Sequence, residues 1–132
     1  MACSDNVVRA GLTPKFIDKT TLCDMLTYKT GLPDVTKGDA VNDSIRVYPS
    51  PVPEFEVEAL AVQAGKELAL PARNGPSILL VVDGAATAAL NTTKLSIGQG
   101  GVYLVGAHQA VTLTASAAGN VRAFRAFPNE RL

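Results

Sequence analysis

Short apolar runs separated by turn residues dominate the chain after Pro53. Residues 54–59 alternate strictly, which predicts a half-buried strand with its glutamates on a solvated face: Glu54, Glu56 and Glu58. Further apolar runs predict strands at 67–70, 77–82, 85–90, 94–97, 101–105, 110–114 and 120–127. About eight short strands divided by Gly, Asn and Asp indicate an all-β sandwich or small barrel.

The first thirty residues have a different pattern. Residues 6–10 predict a short strand, and the Thr13-Pro14 pair predicts a turn. A helix is expected to begin at Asp18, whose carboxylate can cap the first turn, and to fade by Tyr28-Lys29, before Gly31. Its apolar stripe consists of Leu22, Met25 and Leu26.

Residues 31–53 are rich in Pro, Gly and Asp, which is typical of a connecting segment. One short strand is expected within it, at 44–48. The pattern therefore divides the chain into residues 1–30, a connection over 31–53, and a β domain over 54–132.

Charge and composition narrow the function classes. The 12 basic and 12 acidic residues balance, which argues against a nucleic-acid protein or an anionic membrane partner. No apolar run approaches the ~20 residues of a membrane span, and the N-terminus lacks the pattern of a signal peptide. Cys3 and Cys23 lack metal or disulfide spacing and are interpreted as buried small hydrophobic residues. A soluble, intracellular protein is expected.

His108 is the one histidine of the chain. A catalytic zinc site normally has about three protein ligands, usually with His among them. His108 lies in a predicted turn with no Cys, Asp or Glu at ligand spacing, so it is interpreted as a solvated loop residue. The chain is therefore not expected to build a metal site alone.

One segment near the N-terminus is long and compositionally unusual: Ser4-Asp5-Asn6-Val7-Val8-Arg9-Ala10-Gly11-Leu12-Thr13-Pro14-Lys15. It resembles a signature of the zinc-dependent type I mannose-6-phosphate isomerases. A weaker, collinear resemblance continues over 48–55, 77–84 and 100–107. The resemblance implies a cupin-like jelly-roll at 54–132, preceded by the tail of a catalytic cupin domain at 1–30.

The resemblance also implies chemistry. Family members interconvert mannose 6-phosphate and fructose 6-phosphate in the cytoplasm, in the metabolism that supplies GDP-mannose. Their zinc is held by a Gln, a Glu and two His that lie upstream of the signature, so no metal ligand carries over to this chain. The signature's cations do carry over: Arg9 as a catalytic residue that stabilises the enediolate or helps to transfer the proton, and Lys15 as a phosphate ligand.

Two hypotheses follow. In the first, the chain is the C-terminal portion of the isomerase, inactive alone, and its residues 1–30 expose apolar side chains that lead to local disorder or self-association. In the second, it is a stand-alone cupin-like module that binds a partner or stabilises an assembly without catalysis. Zinc analysis together with an isomerase assay separates the two hypotheses.

Overall fold

The computed structural model describes residues 8–9, 11–33 and 35–131. These residues form two compact units, one up to Val35 and one from Thr36 onward. The first contains a helix, α1 (Lys19–Met25). The second contains ten strands: β1 (Asp39–Ala40), β2 (Ile45–Tyr48), β3 (Glu56–Val62), β4 (Glu67–Leu70), β5 (Ser77–Asp83), β6 (Ala85–Leu90), β7 (Thr93–Gly98), β8 (Val102–Val105), β9 (Val111–Ala115) and β10 (Val121–Phe127).

The helix of the first unit begins as predicted and ends early. The Asp18 carboxylate caps it by accepting hydrogen bonds from the Thr21 N–H at 3.0 Å and the Thr21 hydroxyl at 2.7 Å. It ends at Met25 rather than near Tyr28, and the Tyr28 hydroxyl donates to the carbonyl oxygen of Cys23. No residue of α1 is buried. Without a packed face, so short a helix gains little beyond its cap.

Two other predictions for this unit have different outcomes. Cys23 is exposed, so its interpretation as a buried residue is wrong: it lies on a helix that buries nothing. Cys3 lies outside the described residues. Of the strand predicted at 6–10, the structure describes Val8 and Arg9, and neither lies in a strand.

The second unit is an antiparallel jelly-roll, as predicted. Six strands form the large sheet in the order β1-β2-β3-β10-β5-β8, and four form the small sheet in the order β4-β9-β6-β7. All eight predicted strands of the β domain are present, and β2 matches the strand expected within the connection. Strand β10 lies in the middle of the large sheet, paired on one side with β3 and on the other with β5.

The core lies between the two sheets and is filled by alternating, inward-facing residues of β2 to β10. Strand β9 shows the pattern, since Val111, Leu113 and Ala115 are buried while the residues between them are half-buried. Val81, Leu113, Leu79 and Leu70 are each at most 1% exposed.

The predicted phase of β3 is wrong. Glu56 and Glu58 are each 1% exposed and point into the barrel, in line with Leu60 and Val62. Glu54 is exposed as expected. Alternation separates two faces without saying which is buried, and here the core residues later in the strand set the phase.

Gly84 forms the corner at which the chain leaves the large sheet for the small one. Its φ is +83°, and a Cβ at this position would collide with the carbonyl oxygen of Asn120. Only glycine fits both conditions, which explains the Asp83-Gly84 break between β5 and β6.

Candidate functional site

Arg9 and Lys15 lie on one loop of the first unit. The N–H of Asp18 donates to the carbonyl oxygen of Arg9 at 3.2 Å, so the chain returns to Arg9 where α1 begins. The Lys15 N–H donates to Thr13 Oγ1 at 3.2 Å, within the predicted turn. Arg9 is half-buried and Lys15 is exposed. That the two cations converge on one ligand stays a prediction.

A second group of charges lies at one end of the barrel, with Glu56, Glu58 and Arg125 buried inside it. We name it the acid–arginine cluster: Glu56, Glu58, Arg73, Arg125, Glu130 and Arg131. Arg125 is only 1% exposed. Its Nε donates to Ser77 Oγ at 2.9 Å, and its Nη1 donates to the carbonyl oxygen of Pro71 at 3.0 Å and lies 3.5 Å from Glu58 Oε1. Burial lowers the pKa of Arg125, and the Glu58 carboxylate opposes that shift.

Arg73 reaches the cluster from the loop after β4. Its Nη2 donates to Glu58 Oε2 at 3.0 Å, so Glu58 lies between two guanidinium groups. The Arg73 Cζ also lies 4.0 Å from the centre of the Phe127 ring, a cation–π contact. The buried Phe127 ring therefore packs against charged groups.

The segment after β10 closes the cluster from outside. Arg131 Nε lies 3.2 Å from Glu56 Oε1. The Glu130 carboxylate accepts a hydrogen bond from the Asn74 N–H and lies 3.8 Å from Arg73 Nη1. A segment late in the chain thus neutralises a carboxylate that β3 places in the barrel.

The composition of the cluster indicates a structural role. Its three carboxylates and three guanidinium groups balance, and each carboxylate has a guanidinium partner at 3.0–3.8 Å. Glu56 Oε1 and Glu58 Oε1 accept no hydrogen bond and hold their cations through charge alone. No charge is left over for a ligand.

The sequence pattern did not predict this cluster, although a signal was present. Glu56 and Glu58 share their alternation phase with Leu60 and Val62. Arg122 and Arg125 lie on opposite faces of β10, with 68% and 1% of their side chains exposed.

The part of the barrel beside β8 is apolar. A cavity of about 170 Å³ lies there, lined mainly by Leu79, Ala88, Leu90, Ile97, Tyr103 and Val111. Within the described ranges, no group of three His, Cys, Asp or Glu side chains could hold a metal. His108 is exposed in a turn at φ 59°, as a loop residue. The described residues therefore do not fit a zinc ion. None of their helices is long and apolar enough to cross a membrane.

Solved structures define the class of the barrel. It is similar to the cupin domain of Schizosaccharomyces pombe Cnp3, with a TM-score of 0.57 and 16% identity over 65% of this chain and 60% of that one. A cupin superfamily protein from Desulfitobacterium hafniense gives 0.55 and 13% over 70% of this chain and 84% of that one. The second unit is a cupin-type jelly-roll.

Sequence relatives then identify the family. The family model for the phosphomannose isomerase type I C-terminal region matches residues 47–99. Mannose-6-phosphate isomerase 2 of Arabidopsis thaliana is 43% identical over 86% of this chain and 26% of its own length. The human mannose-6-phosphate isomerase is 39% identical over 96% of this chain and 31% of its own length. The chain belongs to the type I mannose-6-phosphate isomerase family and corresponds to its C-terminal part, spanning less than a third of these relatives.

Proposed function

We propose that this chain works as the C-terminal part of an enzyme that interconverts mannose 6-phosphate and fructose 6-phosphate. The observation that carries the proposal is the extent of the similarity. Mannose-6-phosphate isomerase 1 of Arabidopsis thaliana is 40% identical over 99% of this chain, which includes the loop of Arg9 and Lys15 as well as the barrel. A relationship confined to the fold would not preserve both parts.

The proposed chemistry assigns one task to each cation. Aldose–ketose isomerisation removes a proton next to a carbonyl and passes through an enediolate, whose developing charge a guanidinium can stabilise. Arg9 takes this task or assists the proton transfer. Lys15, an exposed ammonium on the same loop, engages the phosphate of the substrate as a point charge. The barrel contributes no reacting group.

Other features belong to the same proposal. The zinc ligands lie outside the described residues, which hold no cluster that fits the ion. Residues 1–30 form the tail of the catalytic domain, 31–53 the connection, and 54–132 the C-terminal domain. Strand β2 (Ile45–Tyr48) already belongs to the large sheet, so the barrel draws on the connection. The enzyme acts in the cytoplasm, in the supply of mannose phosphates for GDP-mannose.

The test compares the chain alone with a reconstituted enzyme. Purified alone, the chain should hold no stoichiometric zinc and should not turn over mannose 6-phosphate. Co-expressed with the upstream part of the Arabidopsis isomerase 1, up to the start of the similarity, it should restore turnover. In that complex Arg9→Ala should lower kcat by about 100-fold or more with unchanged zinc content. Lys15→Ala should mainly raise KM.

Lys29→Ala is the matched control, because Lys29 is another exposed cation of the first unit. It should leave both constants unchanged. Unchanged turnover in Arg9→Ala would reject the role of Arg9. Stoichiometric zinc or turnover from the chain alone would reject its catalytic incompleteness.

The second candidate function is a non-catalytic cupin-like module that binds a partner or stabilises an assembly. The charge-balanced acid–arginine cluster is compatible with it, since it leaves the charged end of the barrel without a reactive group. A wild-type complex that forms without isomerase turnover would support this candidate over the first.

A further inference from the structure

The outer face of the large sheet carries two rows of mostly apolar side chains. The strand register places one outward-facing residue from each of five strands in each row. The first row runs across β2, β3, β10, β5 and β8 through Tyr48, Val57, Ala126, Ile78 and Leu104. The second runs through Arg46, Ala59, Phe124, Leu80 and Val102. Of these ten residues, Arg46 alone is charged.

The largest of these side chains are open to solvent. Leu104 is 76% exposed, Val102 65%, Ile78 51%, Phe124 40% and Leu80 38%. Single exposed apolar residues are ordinary on a protein surface, whereas a contiguous patch marks an interaction site. Here the patch extends over β10, β5 and β8, roughly 14 Å across at the usual spacing of strands.

The outer face of the small sheet shows the opposite composition. Its two rows run across β4, β9, β6 and β7 through Glu67, Thr114, Thr87 and Ser96, and through Ala69, Thr112, Ala89 and Lys94. The Thr114 hydroxyl donates to Glu67 Oε1 at 3.2 Å, in the manner of a solvated surface. The apolar face is therefore a property of one sheet and not of the whole barrel.

Strand β5 carries the same information in its sequence. Its run Ile78-Leu79-Leu80-Val81-Val82 is apolar on both faces: Leu79 and Val81 are buried, whereas the other three point outward and are exposed. Continuous apolar strands are typical of sheets covered on both sides. The sequence of β5 is therefore typical of a strand whose outer face is also covered by protein.

The shape of the face indicates what kind of layer fits. A groove of about 280 Å³ lies beside these exposed apolar side chains. Its apolar lining includes Tyr48, Ala59, Ala61, Val82 and Phe124, and its polar lining consists of Asn42, Asp43, Ser44, Arg46 and Arg122. A protruding apolar element with a polar edge would fill the groove while the exposed apolar side chains pack beside it.

We infer that this face is the surface on which the catalytic part of the isomerase packs, an inference that rests on the proposed function. The matched region of the relatives is their C-terminal region, and most of their length lies outside it. A partner in the same chain meets the face at an effective concentration of about millimolar, which favours it over a second copy. The solvated face of the small sheet stays free.

The test places charge on matched positions of the two sheets. Val102→Glu with Leu104→Glu alters the outer face of edge strand β8, and Lys94→Glu with Ser96→Glu alters that of edge strand β7, where all four side chains are exposed or half-exposed. The ligand is the tagged upstream part of the Arabidopsis isomerase 1, co-expressed with each 132-residue variant. The β8 variant should lose at least tenfold in affinity, and the β7 variant should bind like the wild type. Circular dichroism and thermal unfolding of both variants alone should match the wild type.

Several results would overturn the inference. It is wrong if the β8 variant binds the upstream part like the wild type, or if both variants lose affinity equally. It is also wrong if the wild-type chain forms no complex. A dimer of the chain that the β8 variant disperses, with no capture of the upstream part, would assign the face to a second copy.

A linked protein gives an independent measurement. When residues 1–132 replace the matched region of the Arabidopsis isomerase 1, the β8 variant should lower the unfolding temperature of that protein and the β7 variant should not. Isomerase turnover is recorded in the same samples. A complex that needs Val102 and Leu104 but lacks turnover rejects the proposed function and keeps the interface. If the β8 variant binds with wild-type affinity and turns over substrate, the interface is rejected and the proposed function is kept.

Discussion

The two ends of the barrel interior are filled by different chemistry on the same strands. On β3, Glu56 and Glu58 point inward at one end, and Leu60 and Val62 point inward at the other, all at most 2% exposed. Arg125 pairs with Glu58 across β10 and β3, whereas Ala123 pairs with Leu60 two residues away. The inward-facing residues of β3 thus form ion pairs at one end of the strand and aliphatic contacts at the other.

The difference teaches how each end responds to change. Aliphatic burial is non-directional and stabilises roughly in proportion to the apolar area removed from water. Buried ions have lost their hydration, so they stabilise little when complete and destabilise strongly when one partner is missing. The charged end should therefore be most sensitive to the loss of a fully buried charge, and the apolar end should lose stability in proportion to the volume removed.

The largest effect is expected from Arg125→Ala. It leaves Glu58 buried beside Arg73 alone and removes the bonds to Ser77 and Pro71. The free energy of unfolding should fall by about 3–5 kcal/mol, measured by urea unfolding of the full chain. Arg122→Ala, on the exposed face of the same strand, should change it by no more than about 0.5 kcal/mol. Equal losses in the two variants would contradict the comparison.

A double variant sharpens the same prediction. Glu58→Leu together with Arg125→Met replaces the central pair by apolar side chains of similar size. It should lose less stability than Arg125→Ala alone, because apolar replacements of a buried pair are often neutral or stabilising. A double variant as unstable as the single one would mean that the charges contribute more than they lose on burial.

A somewhat smaller effect is expected in the aliphatic core from Leu113→Ala. Leu113 is fully buried, and its truncation leaves a cavity between the sheets. The expected loss is about 2–5 kcal/mol, measured by the same unfolding experiment. Thr112→Ala, which faces outward on β9, is the control and should have little effect. A negligible loss for Leu113→Ala would show that this end relaxes around voids.

Arg131→Ala should have a modest effect. Its side chain is 53% exposed, so solvent screens its interaction with Glu56 even though Glu56 itself is buried. A loss of about 1 kcal/mol or less is expected, and it should shrink when the unfolding is repeated in high salt. A loss as large as that of Arg125→Ala would show that Glu56 depends on this partner alone.

The smallest effect lies outside the barrel, at the exposed carboxylate of Asp18. Hydrogen bonds from Thr21 lower the pKa of Asp18 below its ordinary value of 3.8. The cap therefore stabilises α1 fully above pH 3.8, and its contribution is lost as the pH falls through the lowered pKa. The amide NMR shift of Thr21 should follow this titration in the wild type. In Asp18→Asn it should not, and persistence there would reject the assignment.

Much of the barrel could be predicted because its signals are local. Turn residues such as Gly84 and short apolar runs mark where each strand begins and ends. The burial of Glu56 and Glu58 could not be predicted in the same way, because their partner Arg125 lies on a strand far along the sequence and becomes adjacent only through the pairing of β3 with β10. The helix ended early for a related reason, since its apolar stripe finds no buried position.

The functional surfaces also differ in whether local sequence could predict them. Arg9 and Lys15 could be proposed from the resemblance of their segment to a family signature, and the closure of their loop through Asp18 adds local geometry. The apolar outer face of the large sheet could not be located from sequence, because strand register is needed to align Leu80 with Val102 and Phe124 into one row.

The central position of β10 has a consequence for biosynthesis. A ribosome makes this strand after the nine others, so β3 and β5 have no strand between them until residues 121–127 leave the exit tunnel. During that interval both strands present unpaired edges, and the apolar run of β5 is open to other nascent chains. A stop codon shortly before Val121 would therefore leave a divided sheet prone to intermolecular pairing, rather than a slightly shorter barrel.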